Sequence, residues 1–322
     1  MTTAVHQIPW RANLALGSAV LGSYGALLYF AVPVLTAGRF AQFGLTSTAF
    51  VLLTPTAWGL VHEAIHGRLS RRPWLNRAAA RVLCVLLGFS FETVQFGHLM
   101  HHRYNGHEHD RPDRRRPGEP SWAGGLRHWS HLLGGHYLVT ALASWVAFMP
   151  HPWRERALRH AFRGDAPDMA AIRQGALKWC ADRKRIERMR VDCAASAALM
   201  GAALLHYGPY WPLLLLTFYA RALLYSTLDN LPHYGMHGRE PDAALNLTLP
   251  GWAAVLVLNH NLHRLHHQRP NLPWRALSAY RDTVRADDSY VRAALRQFSG
   301  PARTLPVTGR PVALDRTVAS AR

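Results

Sequence analysis

Cysteine is nearly absent: Cys84, Cys180 and Cys193 are the only three in 322 residues and form no C-x-x-C pair. That excludes a disulfide framework and a cysteine-held cluster. Acidic residues are also scarce, 19 against 37 Lys and Arg, for a formal net charge of +18. Such a balance suits nucleic acid, acidic partners or a membrane face. No nucleic-acid motif is present, so no nucleic-acid partner is expected. A glycine-rich dinucleotide or phosphate loop is missing as well. With no bound flavin, haem or nucleotide expected, any electrons must come from outside the chain.

Charge itself is missing from two long runs. Asn13 to Thr36 is 24 residues without one, and Leu45 to Val61 is 17 more. A bilayer core of about 30 Å takes ~20 helical residues, so each run spans or nearly spans. No h-region with a small-residue cleavage site precedes them, so the first run is expected to be retained. The turn Gly38 to Gly44 carries a single basic residue, whereas Arg68, Arg71, Arg72, Arg77 and Arg81 follow the second run. The positive-inside bias then places both ends of this hairpin in the cytoplasm.

Further on, Val82–Phe91 and Tyr137–Met149 are apolar but too short to cross; the first is expected against the bilayer surface and the second as an interfacial or re-entrant segment. Leu245–Leu258 is likewise too short to span and leads into the third histidine cluster. Trp122, Trp129, Trp145 and Trp153 suit the headgroup level. Pro150–Arg190 holds 11 Lys or Arg, with helix expected from about Ala170. A second hairpin is expected over Cys193–Leu228, turning at Tyr207–Pro212. Arg221 should then snorkel outward. Two hairpins keep both termini and every histidine cluster on one side. The reading is an integral-membrane, multi-pass, all-α chain of four transmembrane helices. Residues 1–298 form one domain, and 299–322 a disordered tail.

What is abundant is histidine, 20 in all. His263-Arg264-Leu265-His266-His267 puts three imidazoles at i, i+3 and i+4, on one helical face. His98-Leu99-Met100-His101-His102 repeats the arrangement, and His62-Glu63-Ala64-Ile65-His66 sets two rings one turn apart. At this histidine frequency one H-x-x-H-H is expected by chance only roughly 0.08 times, so two copies are not accidental. Three imidazoles make a poor apolar stripe, because each buried ring needs polar partners. A metal site is the better reading. Imidazole suits iron, zinc, copper and nickel, and eight or nine exceed the ligands of one ion. O₂ chemistry would need iron or copper, since zinc has no redox step.

The three clusters resemble the histidine boxes of the membrane fatty acid desaturase/hydroxylase superfamily. The third extends the likeness: Asn261, His263, His266, His267, then Pro270 and Leu272-Pro273-Trp274, similar to the N-x-H-x-x-H-H…P…P-W signature of bacterial desaturases and carotenoid ketolases. The resemblance covers roughly Leu45 to Leu277. It implies four membrane helices under a cytoplasmic helical cap that carries a non-haem diiron site, using O₂ on an unactivated C–H bond of a lipid. It also implies a ninth ligand between boxes two and three, for which His233 is the best candidate. Asp229, four residues earlier, would contact metal, directly or through water, or orient His233, and Asn261 would lie behind the ligands. A fatty acid desaturase is the leading expectation, with a hydroxylase or carotenoid ketolase as alternatives. Box one begins His-Glu rather than the common desaturase His-Asp, and His233-Tyr234-Gly235 resembles an alkane-hydroxylase element.

Two other classes compete. His62–His66 is literally H-E-x-x-H, the zinc-protease motif, but that reading leaves seven patterned histidines idle. A His-lined transporter would need ionisable groups within the spans, whereas the clusters follow the span ends. The expected partners are the bilayer, a lipid or acyl substrate, and an external electron donor such as a ferredoxin or rubredoxin, docked by Arg264 and Arg269. His107, His109, His128, His131, His136, His237 and His260 have no counterpart in the resemblance and are expected at the surface or in support.

Overall fold

The computed structural model describes residues 7–106, 113, 119–164, 166–236 and 243–302. His107, His109 and His237 lie outside the described residues, as does the tail beyond Ala302. Two helices open the chain, α1 over Trp10–Thr36 and α2 over Phe40–Ile65. The turn between them is shorter than expected, because helix restarts at Phe40. Helix α1 loosens into a π-turn at Ala26–Phe30. Pro33 has no N–H for the Tyr29 carbonyl one turn back; His206 donates to it instead, at 3.3 Å.

Helix α3, Pro73–Leu87, ends at Gly88 in the left-handed region (φ +84°). The chain then turns through 100° into α4, Phe91–Tyr104. The apolar run Val82–Phe91 is therefore the end of a longer helix and a corner, not a separate surface segment. Short helices α5 (Ser121–Ser130), α6 (His136–Ser144), α7 (His151–Ala161) and α8 (Pro167–Ala181) follow. Helix thus begins well before Ala170, at Pro-led starts that sequence periodicity did not reveal. The long pair α9 (Arg183–Tyr207) and α10 (Trp211–Asn230) flanks a turn at Gly208–Tyr210, where the Gly-Pro signal placed it. Asp182 starts α9 by accepting from the backbone N–H of Lys184 and Arg185, a conventional N-cap.

By length and composition α1 and α2 can cross a membrane, and α3 with α4 makes a third candidate if the bent pair counts as one span. Helices α9 and α10 do not meet that test, and α9 opens on five basic residues in eight. After α10 come α11 (Gly251–Leu256), α12 (His263–Gln268), α13 (Trp274–Leu277) and α14 (Tyr290–Gln297). Two-residue strands Leu247–Thr248 and Asp288–Ser289 pair in parallel.

One core cluster joins α1 to α4, α9 and α10 through Val20, Leu27, Phe50, Leu60, Leu87 and Leu214. Within it Arg221 of α10 is 2% exposed, so it does not snorkel. Its guanidinium donates to the Tyr24 and Tyr137 hydroxyls and, at 3.1 Å, to the Leu86 carbonyl. Those tyrosines donate in turn to the carbonyls of Leu86 and Leu87. The cation therefore sits at the negative C-terminal end of α3, which is why burial is tolerated without a carboxylate.

The 100° corner is held by Asp192 of α9, 1% exposed. Its Oδ2 accepts from the Ser90 hydroxyl at 3.1 Å and the Phe91 N–H at 3.2 Å, and its Oδ1 pairs with Arg81 at 2.6 Å. One carboxylate thus caps α4 and ties it to α3. Glu92, in the first turn of α4, adds an ion pair to Arg188 at 2.5 Å. Asp192→Ala strands Arg81 and two donors in the interior, so a loss of about 3–5 kcal/mol is expected. The check is the melting temperature in detergent, which should fall for Asp192→Ala and fall less for Asp192→Asn.

Candidate metal centre

Helix α2 ends at Ile65, so His62 and His66 leave its last turn at the edge of the apolar region. The corner aims α4 back over them, bringing His98, His101 and His102. Helix α10 ends at Asn230, and the turn Leu231–His233 contributes His233. The last cluster rides on α12, only six residues long and unable to stand alone. Tertiary bonds hold it. Leu265 N–H donates to Asn246 Oδ1 at 3.1 Å, Arg264 Nε to the Ala244 carbonyl at 2.9 Å, and Arg264 pairs with Asp287 at 3.0 Å.

The rings fall into two groups. His62, His66, His98, His102 and His266 form one, and His101, His233, His263 and His267 the other, the ligand atoms in each lying within 4.8 Å of one another. Several Nε2 atoms approach closely: His66 to His98 at 2.9 Å, His102 to His266 at 3.1 Å, His101 to His267 at 3.2 Å and His263 to His267 at 3.0 Å. Adjacent nitrogens around one ion at metal–nitrogen bonds of about 2.1 Å stand ~3 Å apart. Both ring nitrogens of His62 are buried without a hydrogen-bond partner, as are Nδ1 of His263 and His266. Buried polar atoms left this way are costly unless something else satisfies them. The donor set therefore fits metal ions.

Tautomer and charge agree with that use. Nδ1 of His233 donates to the Ala243 carbonyl at 2.8 Å, leaving the Nε2 lone pair for the group it faces. Burial, with the Arg68 charge added, pulls His66 down to about 4. Burial, with His66 added, pulls His260 down to about 3. His263 and His266 are lowered by burial and by neighbouring imidazoles. Neutral imidazole is the form that ligates.

His260 is what sequence reasoning missed. Its ring centroid is 4.1 Å from that of His62, and with His62 and Glu63 it forms a third group able to hold a metal. The turn that presents it includes Leu258 and Asn259 at φ +48° and +54°, unusual for side-chain-bearing residues. Gly59 of α2 lets this turn close down: a Cβ there would meet Leu258 Cδ1 at 3.0 Å. His260 does stand three residues before His263, the box spacing, but in a turn where helical periodicity carries no information.

Asp229 lines one cavity with His101 and His233. Its Oδ2 pairs with His136 Nε2 at 2.9 Å, while His233 is oriented by Ala243. Asn261 donates from Nδ2 to the Leu247 carbonyl at 2.7 Å, pinning the segment before α12. Glu63 accepts from the Trp274 N–H at 3.1 Å. His128 is buried and bonds the Gln297 carbonyl at 2.9 Å. Arg264 pairs with Asp287 at 3.0 Å, whereas Arg269 lies over the Tyr280 ring at 5.2 Å and bonds its hydroxyl, which leaves its charge without a carboxylate partner among the described residues.

Against both histidine groups lies a cavity of about 420 Å³. Its walls include Trp58, Val94, Val139, Leu228 and Val257, with His62, His98, His101 and His263 at its polar end and the His136–Asp229 pair on one side. A largely apolar space ending on imidazoles is the kind of site that takes an apolar ligand.

The model of the fatty acid desaturase family matches residues 40–299, a span that contains every histidine of both groups. No curated protein matches the chain.

The depressed histidines predict how the metal-free protein responds to acid. Between pH 6.5 and about 4 the unfolded chain binds protons at His66 that the folded chain refuses, so stability falls as pH falls through that window. Melting temperatures of metal-stripped protein from pH 7.5 to 4.5 should therefore decline steadily. A flat profile would mean these rings are solvated rather than buried.

Proposed function

Because the chain belongs to the fatty acid desaturase family, we propose that this oxidoreductase holds two iron ions and puts a double bond into the acyl chain of a membrane lipid. The observation that carries the reading is the pair of imidazole groups, five and four, side by side against one apolar cavity. His62, His66, His98, His102 and His266 would hold one iron and His101, His233, His263 and His267 the other. Bound there, iron supplies the activation of O₂ and the removal of hydrogen from an unactivated C–H bond. O₂ is the co-substrate, and an external donor of the ferredoxin or rubredoxin class supplies electrons.

The protein's own part is positioning. Trp58, Val94 and Val257 line the cavity, so an acyl chain is laid against the imidazoles in a space that keeps water out. The Ala243 carbonyl keeps His233 in one tautomer and one orientation. Asp229 keeps a polar pair with His136 at the cavity wall. We read residues 1–298 as one domain, with α9 and α10 completing four spans beside α1 and α2, and with both termini and the metal centre cytoplasmic. A zinc-protease use of His62-Glu63-x-x-His66 is disfavoured, since Glu63 is turned to the Trp274 amide and both histidines belong to the five-membered group.

The test is metal content with product analysis. Detergent-purified protein grown with ample iron should hold about two irons per chain, with a clear fall in His266→Ala. Cells expressing the parent should accumulate unsaturated acyl chains that the variant does not make. An alcohol or ketone in their place would move the chain to the hydroxylase or ketolase branch. One zinc retained in His266→Ala but lost in His62→Ala would sink the oxidoreductase reading.

A further inference from the structure

A second hollow, of about 440 Å³, is lined by the N-terminal segment, the end of α2, the start of α3 and α4. Residues Phe91 and Gln95 of α4 line it, while Val94, Gly97, His98 and His101 line the apolar cavity, so the two spaces use different faces of one helix. Its polar lining is Arg68, Arg71, Arg77, Ser70, Asn76 and Gln95, and it contains no carboxylate. We propose that this hollow binds the phosphate of a membrane phospholipid headgroup.

Charge is the first argument. Three guanidiniums share one concavity, and none has an ion pair among the described residues. The Arg68 charge also acts on Glu63, but that carboxylate lies outside the lining and accepts from the Trp274 amide. Arg68 Nε is buried without a hydrogen-bond partner. A planar guanidinium with unused donors matches phosphate oxygens better than any neutral group. Helix α3 begins at the hollow with Pro73 and has no acidic residue in its first turn, so its positive end is not neutralised from within.

The loop is also built rather than slack. Ser70 N–H donates to Asn76 Oδ1 at 2.9 Å, Asn76 Nδ2 donates back to the Ser70 carbonyl at 2.6 Å, and Arg72 N–H donates to Ser70 Oγ at 3.2 Å. Asn76 is 6% exposed, so this clamp fixes the arc from which Arg68, Arg71 and Arg77 extend.

Depth selects the source of the phosphate. Ile8 lines the hollow two residues before α1 begins, and Ala64 and Ile65 line it where α2 ends. The hollow therefore stands at the shared end of the two helices apolar enough to cross a bilayer. Trp10 and Trp74 nearby are 57% and 64% exposed, as indoles at headgroup level are. Apolar Ile8, Ala64, Ile65 and Phe91 in the same lining favour a phosphate that carries acyl chains.

The test uses the full chain in a phosphate-free maltoside micelle, with native mass spectrometry and melting temperature as readouts. The probes are dioctanoyl phosphatidylglycerol, dioctanoylglycerol and inorganic phosphate. The phospholipid should bind and raise the melting temperature, and the other two should not at matched concentration. Arg71→Gln/Arg77→Gln should weaken phospholipid binding by about tenfold or more, while the distant, exposed Arg156→Gln should not. Both arginines are exposed, so iron content and unliganded melting should match the parent. If the double variant does not fold, Arg77→Gln alone carries the comparison. Equal binding of dioctanoylglycerol overturns the proposal in favour of simple chain burial, and equal binding of inorganic phosphate overturns the headgroup assignment. Undiminished affinity in the folded variant overturns the site. None of these readouts depends on the reaction, so this proposal and the desaturase reading fail separately.

Discussion

Nine imidazoles brought nitrogen to nitrogen inside a protein impose the condition that governs this fold. As charged groups they would repel; as neutral ones they leave buried lone pairs facing one another. The structure meets the first half of the problem by burial, which keeps rings such as His66 and His266 unprotonated. The second half is met only in part by protein atoms. His233 has the Ala243 carbonyl, but both nitrogens of His62 have no partner. A site that is incompletely satisfied by its own chain, yet densely packed with donors of one kind, is organised for cations.

Everything around the cluster is anchored from outside the helix that bears each ring. Asp192 reaches from α9 to cap the helix of His98 to His102. Asn246 and Asp287 hold the six-residue helix of His263 to His267. The turn bearing His260 packs on Gly59, one helical turn before His62. Small helices that would melt alone are thereby fixed at ring-to-ring precision, with separations near 3 Å. The acidic residues are few, and several of those within the described part, Asp192, Glu92, Asp287 and Asp229, serve in such anchoring.

Scarcity of acid also explains the basic surplus. With 19 acidic residues against 37 Lys and Arg, the arginines cannot all find ion pairs inside the chain. Arg221 resolves this at the carbonyl end of α3 with two tyrosine hydroxyls. Arg68, Arg71 and Arg77 sit instead around a hollow at the end of the apolar helices. The same imbalance of charge thus gives a buried structural cation in one place and an open anion-seeking concavity in another.

The sequence by itself determined the local facts. The i, i+3, i+4 spacing assigned three rings to one face, uncharged runs marked α1 and α2, and Gly-Pro placed the turn between α9 and α10, because each signal depends only on neighbours along the chain. His233 was reachable from the resemblance, but its orienting partner was not. Only the tertiary structure decided which rings face which, that His260 stands against His62, that Asp229 turns to His136, and that Arg221 is buried. Those outcomes depend on a 100° corner, on positive-φ residues in a turn and on groups more than a hundred positions apart. Periodicity cannot report contacts between segments whose spacing is set by packing.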